Sequence, residues 1–265
     1  METTSPHIVL TLGRSGSNTL VDLLNQHREI LNYGEVLGGW NRIRRFHHLI
    51  AGAGNSERRY VDRLLHNRTI ALAANLARTA GKIRKGAFGD IKALRRVRTI
   101  GFKEFSLNIR KMGLADHLLA QTDIRFIGLV RRNALERLVS NLRLGATGEV
   151  LSRDAPSSQS VALTIDPATI VAQLDIIQRE VDELDDLLAR IPSNRKYVVD
   201  YTDLYAEPGS AVRIASEIYG FLGVAQMTPS VRMKKIIQRP MAQVIANYED
   251  CRRAVADTRY APYFA

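Results

Sequence analysis

The sequence predicts an α/β fold in which a parallel β-sheet is flanked by helices on both faces, in three layers and a single domain spanning residues 1–265. Short apolar runs recur along the chain, and each is followed by a loop and then by a helical pattern. Strands that alternate with helices are typical of parallel sheets covered on both faces. With 265 residues, of which 45% are hydrophobic, the chain is long enough to bury a substantial core.

Four of the apolar runs have the length and composition of buried parallel strands. They are His7–Leu12, Thr99–Lys103, Arg125–Val130 and Lys196–Tyr201. Because ligands in such sheets bind at the carboxyl ends of the strands, three strand-end loops become candidate sites. These loops are Gly13–Thr19, Lys103–Ser106 and Arg131–Asn133.

Helical spacing of leucine, isoleucine and valine predicts the elements between the strands. A first helix begins near Ser17, and another follows the third strand and carries Leu135, Leu138, Val139 and Leu142. Asp166-Pro167 is a helix start signal that precedes apolar positions spaced three and four apart, from Ile170 to Leu188. Further helices are predicted after Pro208, ending near Gly220–Gly223, and after Pro240.

The formal net charge of +11 is concentrated in one part of the chain. Between Arg42 and Arg98 there are fifteen Lys and Arg against three Asp and Glu, and we interpret residues 40–98 as a basic helical insertion. This surface is either simply solvated or faces an anionic nucleotide, an acidic glycan, a lipid headgroup or nucleic acid. Few aromatic residues are interleaved with the basic ones, so no nucleic acid is expected. A segment rich in Gly, Ser and Asp predicts a flexible loop at 145–165.

Several classes of protein are excluded by composition. No apolar run approaches the roughly 18–20 residues that span a bilayer, so no transmembrane segment is expected, although peripheral membrane contact stays open. The N-terminus does not resemble a secretory signal. The single cysteine, Cys251, favours a reducing compartment, and we expect the cytoplasm. No metal is expected, since no cluster of His, Cys and Asp has ligand spacing. The oligomeric state is left open.

The segment from Gly13 to Leu20 has the chemistry of an anion-binding loop. Glycines let the backbone turn sharply, and the freed N–H groups with the N-terminus of the following helix form an anion cradle. Arg14 adds a guanidinium suited to phosphate or sulfate oxygens. An ATP-binding P-loop needs a lysine directly after its second glycine, but Ser17 follows Gly16 here. The loop therefore predicts a phosphate-like anion without identifying it.

The end of the third strand supplies a second motif. Arg132 lies in the loop at the end of the strand and Ser140 follows eight residues later, so the pair is suited to holding one phosphate group. Either motif alone is a weak signal.

Together, RSGSNTL at Arg14–Leu20 and RNALERLVS at Arg132–Ser140 resemble the two elements that bind 3′-phosphoadenosine 5′-phosphosulfate (PAPS) in sulfotransferases, in particular bacterial carbohydrate and nodulation-factor sulfotransferases. The resemblance implies a P-loop NTPase-like sulfotransferase fold. It implies that Arg132 and Ser140 hold the 3′-phosphate. It also implies a 5′-phosphosulfate loop lined by Arg14, Ser15, Gly16, Ser17, Asn18 and Thr19.

The same resemblance assigns catalytic roles. Glu35 is the expected base, while Lys103 and Arg14 are expected to stabilise the leaving group. His47 and His48 are rival bases. Two ion pairs are left open as alternatives, Glu35 with Arg14 and Lys103 with Glu104, and Trp40 is either a core residue or a stacking surface for a sugar ring.

The expected function is transfer of a sulfuryl group from PAPS to a hydroxyl of a carbohydrate or glycolipid by in-line displacement, with adenosine 3′,5′-bisphosphate as the other product and no metal. An anionic acceptor is compatible with the basic segment. The alternatives are a nucleotide-dependent kinase with a degenerate P-loop, and a basic module that binds nucleic acid or a membrane surface. The missing lysine after Gly16 argues against the kinase, and the binding module leaves both strand-end motifs unexplained.

Overall fold

The computed structural model describes residues 4–51, 56–67, 69–73, 75, 79, 92–147, 162–233 and 239–264. Its centre is a five-stranded sheet in which every neighbouring pair of strands is parallel. The strands are β1 Ser5–Thr11, β2 Ile30–Asn32, β3 Thr99–Phe105, β4 Arg125–Val130 and β5 Lys196–Asp200. The predicted α/β fold is thereby confirmed.

The strands lie in the order β2-β3-β1-β4-β5. The four predicted strands are present with ends shifted by at most two residues, whereas β2 was not predicted. Since β1 lies between β3 and β4, the loops that follow these three strands emerge side by side at the carboxyl edge of the sheet. All three candidate loops therefore meet at one edge.

The helices of the described residues alternate with the strands. They are α1 Ser17–Gln26, α2 Arg42–Ala51, α3 Glu57–His66, α4 Ser106–Lys111, α5 Ala115–Ala120, α6 Ala134–Thr147, α7 Ile170–Ala189, α8 Tyr201–Leu204, α9 Ser210–Leu222, α10 Met241–Val244 and α11 Tyr248–Ala254.

Two apolar layers cover the sheet because successive strand residues point to opposite faces. Ile8 and Leu10 of β1 pack in one cluster with residues of α3, α4, α5 and α7. Val9, between them, packs in the other cluster with residues of α1 and α9. The three-layer arrangement predicted from the sequence is confirmed.

Two predicted helix starts need correction. Asp166-Pro167 does not begin the long helix, because residues 167–169 form a turn and α7 starts at Ile170 after Thr169. The carboxylate of Asp166 instead accepts a hydrogen bond from the backbone N–H of Ala168 at 3.0 Å within that turn. After Pro240, the chain forms only the short α10 before α11.

The basic segment contains two helices that take part in the core. Tyr60 and Leu64 of α3 are fully buried in the apolar layer that covers one face of the sheet. The predicted flexible loop at 145–165 falls largely on residues 148–161, which lie outside the described residues. Within the described ranges, no helix has the length and apolar composition needed to cross a membrane.

Candidate active site

The loop between β1 and α1 has a strained, closely supported backbone. Arg14 has a φ of 61°, the left-handed region that side chains other than glycine rarely adopt. Gly16 has a φ of 75° and precedes α1, and a Cβ placed on it would lie 3.0 Å from the ring of Tyr201. Glycine is therefore required at this position by both conformation and space. The buried Ser15 hydroxyl donates to the carbonyl of Leu12 at 2.7 Å.

Arg131 supports this loop from the end of β4. Its side chain is buried and donates to the carbonyl of Arg14 at 2.9 Å, so it fixes the strained residue through its backbone. The same guanidinium forms an ion pair of 2.5 Å with Glu136 and lies 4.0 Å above the ring of Tyr201. Burial raises the pKa of Tyr201 to about 12, so this ring remains a neutral phenol at physiological pH.

A second arginine holds the start of the loop. Arg137 of α6 is fully buried and donates to the carbonyl of Gly13 at 3.3 Å. It also donates to the carbonyl of Ile177 at 3.1 Å and forms an ion pair of 2.6 Å with Glu180. The loop is thereby connected to α7 through one charged side chain, whose three guanidinium nitrogens each donate a hydrogen bond.

Arg14 links the two predicted anion-binding motifs. Its Nε donates to the hydroxyl of Ser140 at 2.9 Å, which places the arginine of the first motif against the serine of the second. Burial and the neighbouring Arg131 guanidinium lower the pKa of Arg14. A desolvated cation next to a second cation favours binding of an anion, because the anion would offset both costs.

The predicted catalytic residues Glu35 and Lys103 are in direct contact. Lys103 lies at the carboxyl end of β3, is 2% exposed, and forms an ion pair with the carboxylate of Glu35. Its ammonium also donates to the side-chain oxygen of Asn18 in the anion-binding loop at 3.2 Å. The segment after β2, which carries Glu35, and the loop after β1 are therefore joined by one lysine.

Glu104 does not pair with Lys103, which decides between the alternatives left open by the sequence. Its buried carboxylate accepts hydrogen bonds from the backbone N–H groups of Val36 and Leu37 at 3.2 and 2.9 Å. The other oxygen accepts from the N–H of Phe105 and from Asn108. Glu104 therefore anchors the residues that follow Glu35. Glu35 itself pairs with Lys103, whereas the sequence had left open a pair with Arg14.

Arg132 lies at the outer side of the site and is engaged with two carboxylates. Its side chain is 53% exposed and forms a bidentate ion pair with Asp185 of α7. Its Nε lies 3.4 Å from Asp200 at the end of β5. Since Ser140 contacts Arg14, the two residues assigned to the 3′-phosphate have different partners in this structure, and their shared role stays a prediction.

The rival bases belong to a neighbouring cluster on α2. His47 is buried, lies 3.2 Å from Arg63 and packs at 5.0 Å between ring centroids against Tyr60. Burial, and then the charge of Arg63, lower its pKa. His48 lies 3.2 Å from the carboxylate of Glu57. The hydroxyl of Tyr60 donates to the carbonyl of Val36 at 3.2 Å, which connects this cluster to the segment that carries Glu35.

The sequence analysis missed the residues that support the site. Arg131 and Arg137 fall within the strand-end loop and the second motif, but the sequence gave them no role because an arginine is usually solvated and its buried partners are set by the fold. Thr19, which was predicted, has its hydroxyl 2.8 Å from that of Tyr205. The available hints were the position of Arg137 inside the motif Arg132–Ser140 and that of Arg131 directly before it. The supporting residues are Glu104, Arg131, Arg137, Tyr201 and Tyr205.

No group of three or more His, Cys, Asp or Glu side chains within the described ranges is arranged to hold a metal ion. The chemistry of the site is that of cations and backbone N–H groups. Arg14 and Lys103 lie with the N-terminus of α1 at the carboxyl edge of the sheet, an arrangement that suits an anion.

The model of the sulfotransferase family matches residues 6–229, and the chain belongs to that family. The P-loop NTPase-like sulfotransferase fold expected from the resemblance agrees with the strand order β2-β3-β1-β4-β5 and is confirmed.

Curated relatives match almost the whole chain. Nodulation protein H of Rhizobium tropici is 25% identical over 269 residues, covering 98% of this chain and 92% of the relative. Nodulation protein H of Rhizobium meliloti (strain 1021) is also 25% identical, covering 98% and 94%. A solved sulfotransferase from Alicyclobacillus acidocaldarius is 16% identical, with a TM-score of 0.48 and coverage of 97% of this chain and 91% of that one.

Proposed function

We propose that this sulfotransferase moves a sulfuryl group from PAPS to a hydroxyl of a carbohydrate or glycolipid acceptor. The contact of Lys103 with both Glu35 and Asn18 carries the proposal, since it joins a candidate base to the loop assigned to the phosphosulfate. The carbohydrate class rests on the resemblance to bacterial carbohydrate and nodulation-factor sulfotransferases. The matches to two nodulation H proteins along 98% of the chain support that class.

In this scheme the acceptor oxygen attacks the sulfur in line with the bridging oxygen of PAPS. The acceptor hydroxyl gives its proton to the carboxylate of Glu35 as the new S–O bond forms. The bond between sulfur and the bridging oxygen breaks, and adenosine 3′,5′-bisphosphate leaves with the negative charge. Arg14, Lys103 and the N–H groups of the loop stabilise that charge, so positioning and electrostatics supply the catalysis.

The ion pair between Lys103 and Glu35 fits both roles. Lys103 already forms a hydrogen bond to Asn18 in the anion-binding loop. PAPS bound at that loop can therefore replace Glu35 as the partner of the Lys103 ammonium, which releases Glu35 to act as a base. Glu35 is partly exposed whereas Lys103 is buried, which leaves the carboxylate accessible to an acceptor. No metal participates in this proposal.

Discrimination between PAPS and ATP is proposed to come from Arg132. The 3′-phosphate would replace Asp185 and Asp200 as the partner of the guanidinium. Since Arg132 is half exposed, the two ion pairs are screened by water and can be exchanged at small cost.

Calorimetric titration with adenosine 3′,5′-bisphosphate and with ATP tests the donor. We expect the bisphosphate to bind much more tightly than ATP. Arg132→Ala should weaken the bisphosphate by roughly tenfold or more and leave adenosine 5′-phosphosulfate, which lacks the 3′-phosphate, little changed. Arg190→Ala removes an arginine of the same side-chain exposure that pairs with Asp116, outside the candidate site, and serves as the matched control. Equal or tighter binding of ATP would overturn the proposal and favour a kinase.

We also propose that the protein works in the cytoplasm. The one cysteine of the chain, Cys251, is a buried free thiol, which is compatible with the reducing cytoplasm. Nucleic acid is not a proposed partner.

A further inference from the structure

The only tryptophan of the chain lies on the surface beside the segment that carries Glu35. Trp40 is 66% exposed. In the described residues the other exposed large apolar side chains are less exposed and smaller: Leu72, Ile176, Val198 and Val231. A solvated indole exposes more apolar surface than any of these side chains, and tryptophan is among the residue types enriched at the energetic centres of binding surfaces.

The indole is oriented by a tight turn. The backbone N–H of Asn41 donates to the carbonyl of Gly38 at 2.9 Å, which closes a turn with Trp40 inside it. A Cβ placed on Gly38 would lie 2.5 Å from the indole Nε1, so a side chain here would displace the ring. The ring therefore lies close to the Gly38 backbone while most of its surface faces solvent.

The turn is connected to the candidate base. The side-chain amide of Asn41 donates to the carbonyl of Glu35 at 2.9 Å, so residues 35–41 form a closed loop. The amide oxygen of Asn41 accepts hydrogen bonds from the N–H groups of Ile43 and Arg44 at the start of α2. With Glu104 holding Val36 and Leu37, this loop is anchored at its start, its middle and its end.

We propose that Trp40 is the acceptor-binding platform of the enzyme, on which a sugar ring of the acceptor packs by its C–H face. The inference rests on the proposed function and names the substrate feature that the site recognises. A pyranose has an apolar C–H face and hydroxyls around its edge. A rigid indole covers the apolar C–H face at little entropic cost. The hydroxyls at the edge of the sugar stay free to extend toward the carboxylate of Glu35, which lies on the same closed loop.

The position of the indole favours a sugar over the other occupants of an exposed tryptophan. Trp40 is a single aromatic ring on a loop rich in glycine, with the charged Glu35 at the other end of the loop. A membrane or a second copy of the chain would use a wider apolar surface. The hydroxyl to be sulfated must also reach Glu35, which lies on the same closed loop as Trp40.

Tryptophan fluorescence reports on this site alone, because Trp40 is the only tryptophan. The wild-type protein is titrated with a panel of neutral gluco-, galacto- and N-acetylglucosamine oligosaccharides, without donor. We expect a saturable change of emission for the sugars that are also sulfated. With such an acceptor, Trp40→Ala should raise KM roughly tenfold with kcat changed less than threefold, and Trp40→Phe should recover part of the loss.

Ile176→Ala, which removes another exposed apolar side chain, on α7, is the matched control and should leave KM unchanged. An unchanged KM in Trp40→Ala overturns the inference. It is also overturned if none of the sugars that the enzyme sulfates alters the tryptophan emission when added as an acceptor. A change of emission with phosphatidylglycerol vesicles only, or with protein concentration only, also overturns it and assigns the surface to a membrane or to a second copy. Adenosine 3′,5′-bisphosphate should bind Trp40→Ala as it binds the wild type; if the wild type fails to bind it, the proposed function fails instead.

Discussion

Two buried lysines lie near opposite ends of the sheet, and they differ in what they bind. Lys103 at the carboxyl end of β3 is 2% exposed and is held by two side chains, those of Glu35 and Asn18. Lys92, which precedes β3, is 6% exposed and is held by two backbone carbonyls, those of His27 and Ile30. The first lysine can exchange its partners with a ligand, whereas the second holds parts of the chain that the fold fixes.

The surroundings of the two lysines differ in the same sense. Near Lys92, the imidazole of His7 is fully buried, with its ring nitrogens 2.9 Å from the hydroxyl of Thr99 and 3.0 Å from the amide of Asn32. Burial and the charge of Lys92 lower the pKa of His7 to about 3, so this ring stays neutral. The amino end of the sheet is therefore a fixed polar network, which suits stability and not chemistry.

The largest effect is expected at Lys103. Lys103→Met should lower kcat about 10²–10³-fold, because it removes a cation that stabilises the leaving group, and should leave the fold intact since Glu35 remains partly solvated. Steady-state rates with PAPS and calorimetric unfolding measure the two quantities. A loss of stability with an unchanged kcat would reverse the roles assigned to the two lysines.

A stability effect is expected at Lys92. Lys92→Met should lower the free energy of unfolding by about 2–3 kcal/mol, because two carbonyls lose a charged donor in a buried setting. The kcat of the folded fraction should stay within twofold of the wild type. Urea unfolding monitored by far-ultraviolet circular dichroism gives the first value, and a kcat that falls tenfold would contradict the assignment.

A smaller effect is expected from pH through His7. The folded pKa of about 3 lies below the ordinary value of 6.5, so the unfolded chain takes up a proton first as the pH falls. His7 therefore contributes stability that is fully present above pH 6.5 and is lost as the pH falls toward 3. Between pH 7 and pH 5 the loss amounts to about 2 kcal/mol. His7→Gln should flatten this part of the stability profile, and an unchanged slope in the variant would contradict the buried neutral ring.

The fold was largely predictable because it follows from local patterns. Apolar runs located β1, β3, β4 and β5, while β2 was missed since its three residues, Ile30–Asn32, are too few to show a pattern. The start of α7 was misplaced because Asp166-Pro167 has the composition of a helix start but forms a separate turn. Strand order was not readable at all, because it depends on pairing between residues far apart in the chain.

The contacts of the candidate site residues were not predictable from the sequence, and the roles of these residues stay predictions. Arg14, Glu35 and Lys103 were singled out one by one, but the sequence left their ion pairs open. Arg137 and Lys92 were missed as buried groups because charged side chains are rarely buried unless tertiary partners satisfy them. Lys92 in particular lies in the basic segment that was interpreted as an insertion, and its partners are set by the fold.

The central claim is that the enzyme transfers a sulfuryl group from PAPS to a sugar hydroxyl. The most direct test offers PAPS with a radiolabelled sulfuryl group to a panel of sugars, glycolipids, phenols and sterols and identifies the labelled product. The wild type should label a sugar hydroxyl. Glu35→Gln should lower the turnover at least tenfold while adenosine 3′,5′-bisphosphate binds it as tightly as the wild type. No transfer from PAPS to any acceptor, or labelling of phenols at the full rate by Glu35→Gln, would contradict the account.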